Sequence, residues 1–144
     1  MAEARHMTAG ETITTAAYRL TPEEAINFAR QFDPQPIHLD EASAANGFFG
    51  VITASGWHAL ALTMRMVVNA HPFGDHPLIG AELSRIRFSR PILPEMELVV
   101  RITFDSIEKG GGRHAYNILV VETVDAASGE MLIHQRWRML RTSD

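Results

Sequence analysis

The chain contains no cysteine. A disulfide-stapled scaffold, a thiolate nucleophile and a cysteine-ligated metal are excluded at once. It also lacks a long apolar run: residues 59–68 form the longest, which is interrupted by Thr63 and Arg65 and too short to span a bilayer. The first dozen residues have no apolar segment of the kind a secretory signal needs, so the expectation is a soluble, cytoplasmic protein. Basic charge is not in excess. Acidic and basic residues are interspersed at a formal net charge of −4, which argues against nucleic acid as the main partner. A phosphate-bearing small ligand needs only a few local cations and stays open. No repeat, low-complexity stretch or Pro/Gly/Ser linker divides the sequence. What is there is 46% apolar in 144 residues, a composition and length that suit one globular core. Residues 1–11 are read as a disordered N-terminal segment and residues 12–144 as a single domain.

The two halves differ in period. Thr21-Pro22-Glu23-Glu24 is a capping box that starts a helix, with Pro22 at the first helical position and Ala25, Phe28, Ala29 and Phe32 on one apolar face. Asp33-Pro34-Gln35-Pro36 must end it, because a proline biases the residue before it toward extended backbone. The chain is then expected to leave Asp33 as a loop, pass Ile37-His38 and form a short helix over residues 40–46. A longer helix over residues 54–70 is apolar around most of its circumference and predicts burial on several sides. From residue 78 onward the apolar period is two, clearest where Leu98, Val100, Ile102 and Phe104 alternate with Val99, Arg101, Thr103 and Asp105. With residues 12–20 and 78–88 added to 114–124 and 131–140, five strands surround one helix. The expected class is α+β with an antiparallel sheet.

The stretch Asp33-Pro34-Gln35-Pro36-Ile37-His38 carries the chemistry. A carboxylate and an imidazole held on a proline-stiffened segment form a usable acid–base pair, either of which can bind a water. Taken alone, the pair is more readily explained as Asp33 capping a turn and His38 an ordinary histidine. The next segment, Gly50-Val51-Ile52-Thr53-Ala54-Ser55-Gly56-Trp57, leads into the long helix, whose first N–H groups lack intrahelical acceptors. The Gly56 N–H is a natural oxyanion donor for a thioester carbonyl, while Thr53 or Ser55 serves as cap. Local sequence leaves a cap alone and a cap plus oxyanion site equally open.

In order, Tyr18-Arg19-Leu20-Thr21, Phe28-Ala29, the Asp33–His38 segment, the helix-start glycine and Arg87-Phe88-Ser89-Arg90-Pro91-Ile92 resemble the MaoC-like dehydratases, including the R-specific enoyl-CoA hydratases. The resemblance covers nearly the whole chain and implies a hotdog fold, a curved five-stranded antiparallel sheet wrapped around a long central helix. It implies hydration of a trans-2-enoyl-CoA thioester, or the reverse dehydration, with an R-hydroxyacyl product. Asp33 is then the base, His38 its water-positioning partner, Gly56 the oxyanion donor, and Ser55, Trp57 and Arg87 the substrate contacts. An acyl-CoA or acyl-carrier thioester is the expected partner, in a homodimer with sites at its interface. Gln35 and Ser55 stand where the better-known hydratases carry asparagine and histidine. The alternatives are a hotdog acyl-CoA thioesterase and a non-catalytic acyl-CoA-binding subunit.

Other features carry less. Ser55 lacks the first glycine of a nucleophile elbow and a parallel α/β setting. His71, His76, His114 and His134 match no compact zinc spacing. No metal or redox cofactor is expected. Arg85, Arg87 and Arg90 either line a groove for CoA phosphates or occupy the solvent face of a strand.

Overall fold

Three long strands with period-two alternation build the centre of the molecule: β4 (Glu97–Lys109), β5 (Ala115–Asp125) and β6 (Met131–Leu140). They follow one another antiparallel through short turns, with Ile102 opposite Val121 and Leu119 opposite Trp137. Leu98, Val100, Ile102 and Phe104 all face inward and are almost fully buried, as their alternation requires. The computed structural model describes residues 6–142. β3 (Ile79–Phe88) pairs with the far side of β6, while β1 (Thr12–Thr14) and β2 (Tyr18–Arg19) both pair with β4. The resulting order is β1-β4-β5-β6-β3, antiparallel throughout. Register shifts between Gly80 and Glu82 and between Ser84 and Arg87 interrupt β3, the kind of irregularity that bends a strand.

The sheet has six strands rather than the five expected, because residues 12–20 break in two. The break has a specific cause at Thr15. Its N–H donates to the Val100 carbonyl at 2.9 Å, and its own hydroxyl, rather than a backbone carbonyl, accepts from the Val100 N–H at 3.0 Å. The side chain completes the ladder while the backbone turns away before β2.

α1 (Pro22–Phe32) begins as its sequence dictates, the Thr21 hydroxyl accepting from the Glu24 N–H at 3.2 Å. The reciprocal half of the box differs: the Glu24 carboxylate accepts from the Thr21 and Tyr18 hydroxyls. Ala25 and Ala29 are buried, but Phe32, assigned to the same face, is 68% exposed. Pro36 does more than end a helix. It opens a single helical turn, α2 (Pro36–Leu39), where a loop was expected, and Asp40 then caps α3 (Glu41–Ala45). Pro at a first helical position is preorganised for that turn.

α4 (Gly56–Asn69) packs Ala59, Leu62, Met66 and Val67 into the core shared with Val100, Phe104, Leu119 and Trp137. It is less enclosed than its apolar circumference predicts, since Val68 is exposed and Trp57 is 69% exposed. At the N-terminal end the described residues begin at His6. Residues 1–5 lie outside the described residues, but His6 bridges Phe73 and Met7 is 2% exposed, its N–H bonded to the Pro72 carbonyl at 2.8 Å. Met7 anchors the described part of this segment by burying an apolar side chain in the core cluster, while Thr8, Ala9 and Gly10 are exposed.

Candidate active site

Asp33 caps the C-terminal end of α1, and its two carboxylate oxygens have different neighbours. Oδ1 accepts from Gln35 Nε2 at 2.6 Å, and Oδ2 accepts from Ser55 Oγ at 2.7 Å. Oδ2 also lies 3.4 Å from His38 Nε2. Burial pushes the Asp33 carboxyl up, but the hydrogen bonds from Gln35 and Ser55, with His38 beside it, outweigh that and hold it below its ordinary value. Asp33 is therefore ionised near neutrality.

His38 is buried on α2, with Nδ1 2.7 Å from the Thr53 carbonyl oxygen. A carbonyl can only accept, so this bond places a proton on Nδ1. In the neutral ring Nε2 is then a lone pair facing the carboxylate. Two acceptors at that separation do not bond each other. A water donating one hydrogen to each would satisfy both and leave its oxygen lone pairs free.

Ser55 ties this pair to the long helix. It is fully buried as the cap of α4, its hydroxyl accepting from the Trp57 N–H at 3.2 Å while donating to Asp33. The next N–H, at Gly56, occupies the first helical position and has no acceptor within the helix. Gly56 and His38 line a cavity of about 270 Å³ with Thr53, Phe88, Arg90 and Ile133. Asp33 adjoins the cavity through His38 and Ser55 rather than lining it, and its side chain remains 14% exposed. The glycine also has a packing reason. A Cβ there would sit 2.9 Å from Phe88 Cε1, so any side chain would push the ring aside.

Asp33, His38, Ser55 and Gly56 thus come together. Trp57 and Arg87 do not join them. Trp57 projects outward and is absent from the cavity wall, because it lies one position round the helix from Gly56. Arg87 pairs in register with His134, on the opposite strand face from Phe88 and Ile133. Of the three arginines weighed from sequence, Arg90 is the one at the cavity, with Nε 3.2 Å from Glu130 Oε2. Two residues named in the sequence take roles not assigned to them there. The Gln35 amide, in plain view two residues after Asp33, is a donor to the carboxylate. Thr53 acts through a backbone carbonyl, which no side-chain pattern signals.

Six antiparallel strands packed on one long helix define a hotdog-fold domain, with an aspartate–histidine pair at that helix's N-terminal end. The chain belongs to the MaoC like domain family, whose model matches residues 5–126. It is 31% identical over 114 residues to the uncharacterised protein YdeM of Bacillus subtilis (strain 168), covering 79% of each chain. Among solved structures, the MaoC-like dehydratase from Rhodospirillum rubrum superimposes with a TM-score of 0.83 at 31% identity, over 93% of this chain and 92% of that one. The R-hydratase PhaJ1 from Pseudomonas aeruginosa shares the fold with a TM-score of 0.77 at 18% identity, over 96% and 84% of the two chains. This is a hydratase/dehydratase family. Among the described residues, no helix is long and apolar enough to cross a membrane.

Proposed function

We propose that the protein adds water reversibly across the double bond of 2-enoyl thioesters of CoA or an acyl carrier, giving 3-hydroxyacyl thioesters. The observation that carries this reading is the opposition of Asp33 Oδ2 and His38 Nε2 at 3.4 Å, tied by Ser55 to the start of α4. A water held between the two acceptors loses a proton to Asp33 as its oxygen bonds to C3 of the enoyl group. Electron density moves to the thioester oxygen, which accepts from the Gly56 N–H, and C2 takes the proton back as the enolate collapses. His38 orients the water through Nε2, and the Thr53 carbonyl holds the ring in the tautomer that can do so.

The reading includes a homodimer. The exposed residues that run along β3 support a second copy adding its own strand alongside, and a monomeric mass by light scattering would contradict it. The activity test is direct. Purified protein with crotonyl-CoA and longer enoyl-CoAs should bleach the enoyl absorbance without releasing thiol. Thiol release in place of bleaching would identify a thioesterase, and binding without either product a silent acyl-CoA-binding subunit.

A further inference from the structure

A second cavity, of about 390 Å³, lies between α4 and the β6–β3 pair. Leu60 and Met64 of α4, Leu83 of β3, and Trp137 and Met139 of β6 supply an apolar wall. Gln135 breaks that wall. It is 1% exposed and occupies an inward position of β6 between Ile133 and Trp137. Its orientation is fixed by chemistry: the Trp137 indole N–H can only donate, and it donates to Gln135 Oε1 at 2.9 Å. The amide nitrogen is therefore the other end of the group, and Nε2 is buried with no acceptor among the described residues. A buried amide donor without a partner is costly, and each such group calls for an explanation.

The two cavities are consecutive. Ala59 and Ile133 line the first, while Leu60 and Gln135, the next positions along the same helix and the same strand face, line the second. Two residues along a strand advance about 6.8 Å, so Gln135 stands about one such step along β6 from Ile133 at the first cavity. Glu82 borders the second cavity, and among the described residues no cationic side chain does. A carboxylate there would meet repulsion without a counter-ion. We infer that the protein selects acyl thioesters whose tail carries a neutral oxygen acceptor, a carbonyl, hydroxyl or ether, which accepts from Gln135 Nε2. This rests on the hydratase reading for the orientation of the thioester, but the selection itself is a property of binding.

The test compares a matched pair of saturated acyl-CoAs, one with a plain alkyl tail and one with an ether oxygen replacing a mid-chain methylene, by calorimetry on the wild-type protein. Saturated thioesters carry no double bond to hydrate, and a thiol reagent run in parallel checks that they stay intact, so the result is independent of hydration. The oxygenated ligand should bind about tenfold more tightly, the worth of one buried hydrogen bond recovered. Gln135→Leu, checked for an unchanged fold by its thermal transition, should erase the difference, and a carboxylate-tailed acyl-CoA should bind more weakly than either. Equal or alkyl-favouring affinities in the wild type would overturn the proposal even if Gln135→Leu failed to fold. With the matching enoyl-CoAs, absence of turnover alongside the binding preference would reject the hydratase reading and leave the selectivity standing.

Discussion

Asp33→Asn is expected to lower kcat for enoyl hydration by about a hundredfold to ten-thousandfold, the usual worth of a positioned acid or base. The substitution changes few atoms but reverses the chemistry of one oxygen. With its NH2 in the place of Oδ2 the new amide would donate to His38 Nε2, occupying the lone pair meant for water, while its remaining oxygen accepts from Gln35 and the Ser55 hydroxyl loses its acceptor. Km should move little, since Asp33 meets the substrate only through the water. Stopped or continuous assays of enoyl absorbance read both constants. The carboxylate also sets a pH signature. Because its folded value is below the ordinary one, loss of base on acidification lies on the low side of normal carboxylate titration. The sign for stability is the same: the contribution is present above the unfolded-chain value and lost as pH falls through the folded value. Asp33→Asn should lack that acid-side loss in thermal unfolding followed against pH.

The second large effect is expected from His38→Ala, about a hundredfold or more in kcat. Removing the ring takes away the second acceptor for the water and leaves the Thr53 carbonyl without its 2.7 Å donor. Water would still reach Asp33, but with no preferred direction, so the entropy of placing it returns to the barrier. The decisive feature is non-additivity. If both groups serve one water, Asp33→Asn with His38→Ala should fall little further than the worse single variant. Multiplicative losses, measured on proteins with matched thermal transitions, would mean that the two act separately.

Much of this was legible from residue order. Period-two alternation placed β4, β5 and β6 because apolar side chains on one strand face have only one way to be buried. Thr21-Pro22 marked the start of α1 for an equally local reason, an unpaired N–H and a side chain able to meet it. Asp33, His38, Ser55 and Gly56 were all named, but through the family resemblance; the residues alone left a turn cap, an ordinary histidine and a plain helix start open. The rest depended on contacts that no local pattern encodes. A threonine hydroxyl in place of a backbone carbonyl split residues 12–20 into two strands. The face of α4 that meets the sheet was hidden by apolar residues around most of the helix, so nothing in residue order showed that Trp57 points outward. The face that Arg87 occupies was not readable either, because the irregularities of β3 between Ser84 and Arg87 make face assignment by counting unsafe there. Gln135 was readable in principle, as the polar member of the inward series Ile133, Trp137 and Met139. Only the cavity beside it gives that residue a meaning.

The fate of the water oxygen tests the central claim most directly. Crotonyl-CoA incubated with the wild-type protein in heavy-oxygen water should give 3-hydroxybutyryl-CoA, by mass spectrometry, with the label in the C3 hydroxyl and the thioester intact. Label appearing instead in a free carboxylate, with CoA released, would mean that the site directs water at the carbonyl carbon, and the roles assigned to Asp33, His38 and Gly56 would be wrong.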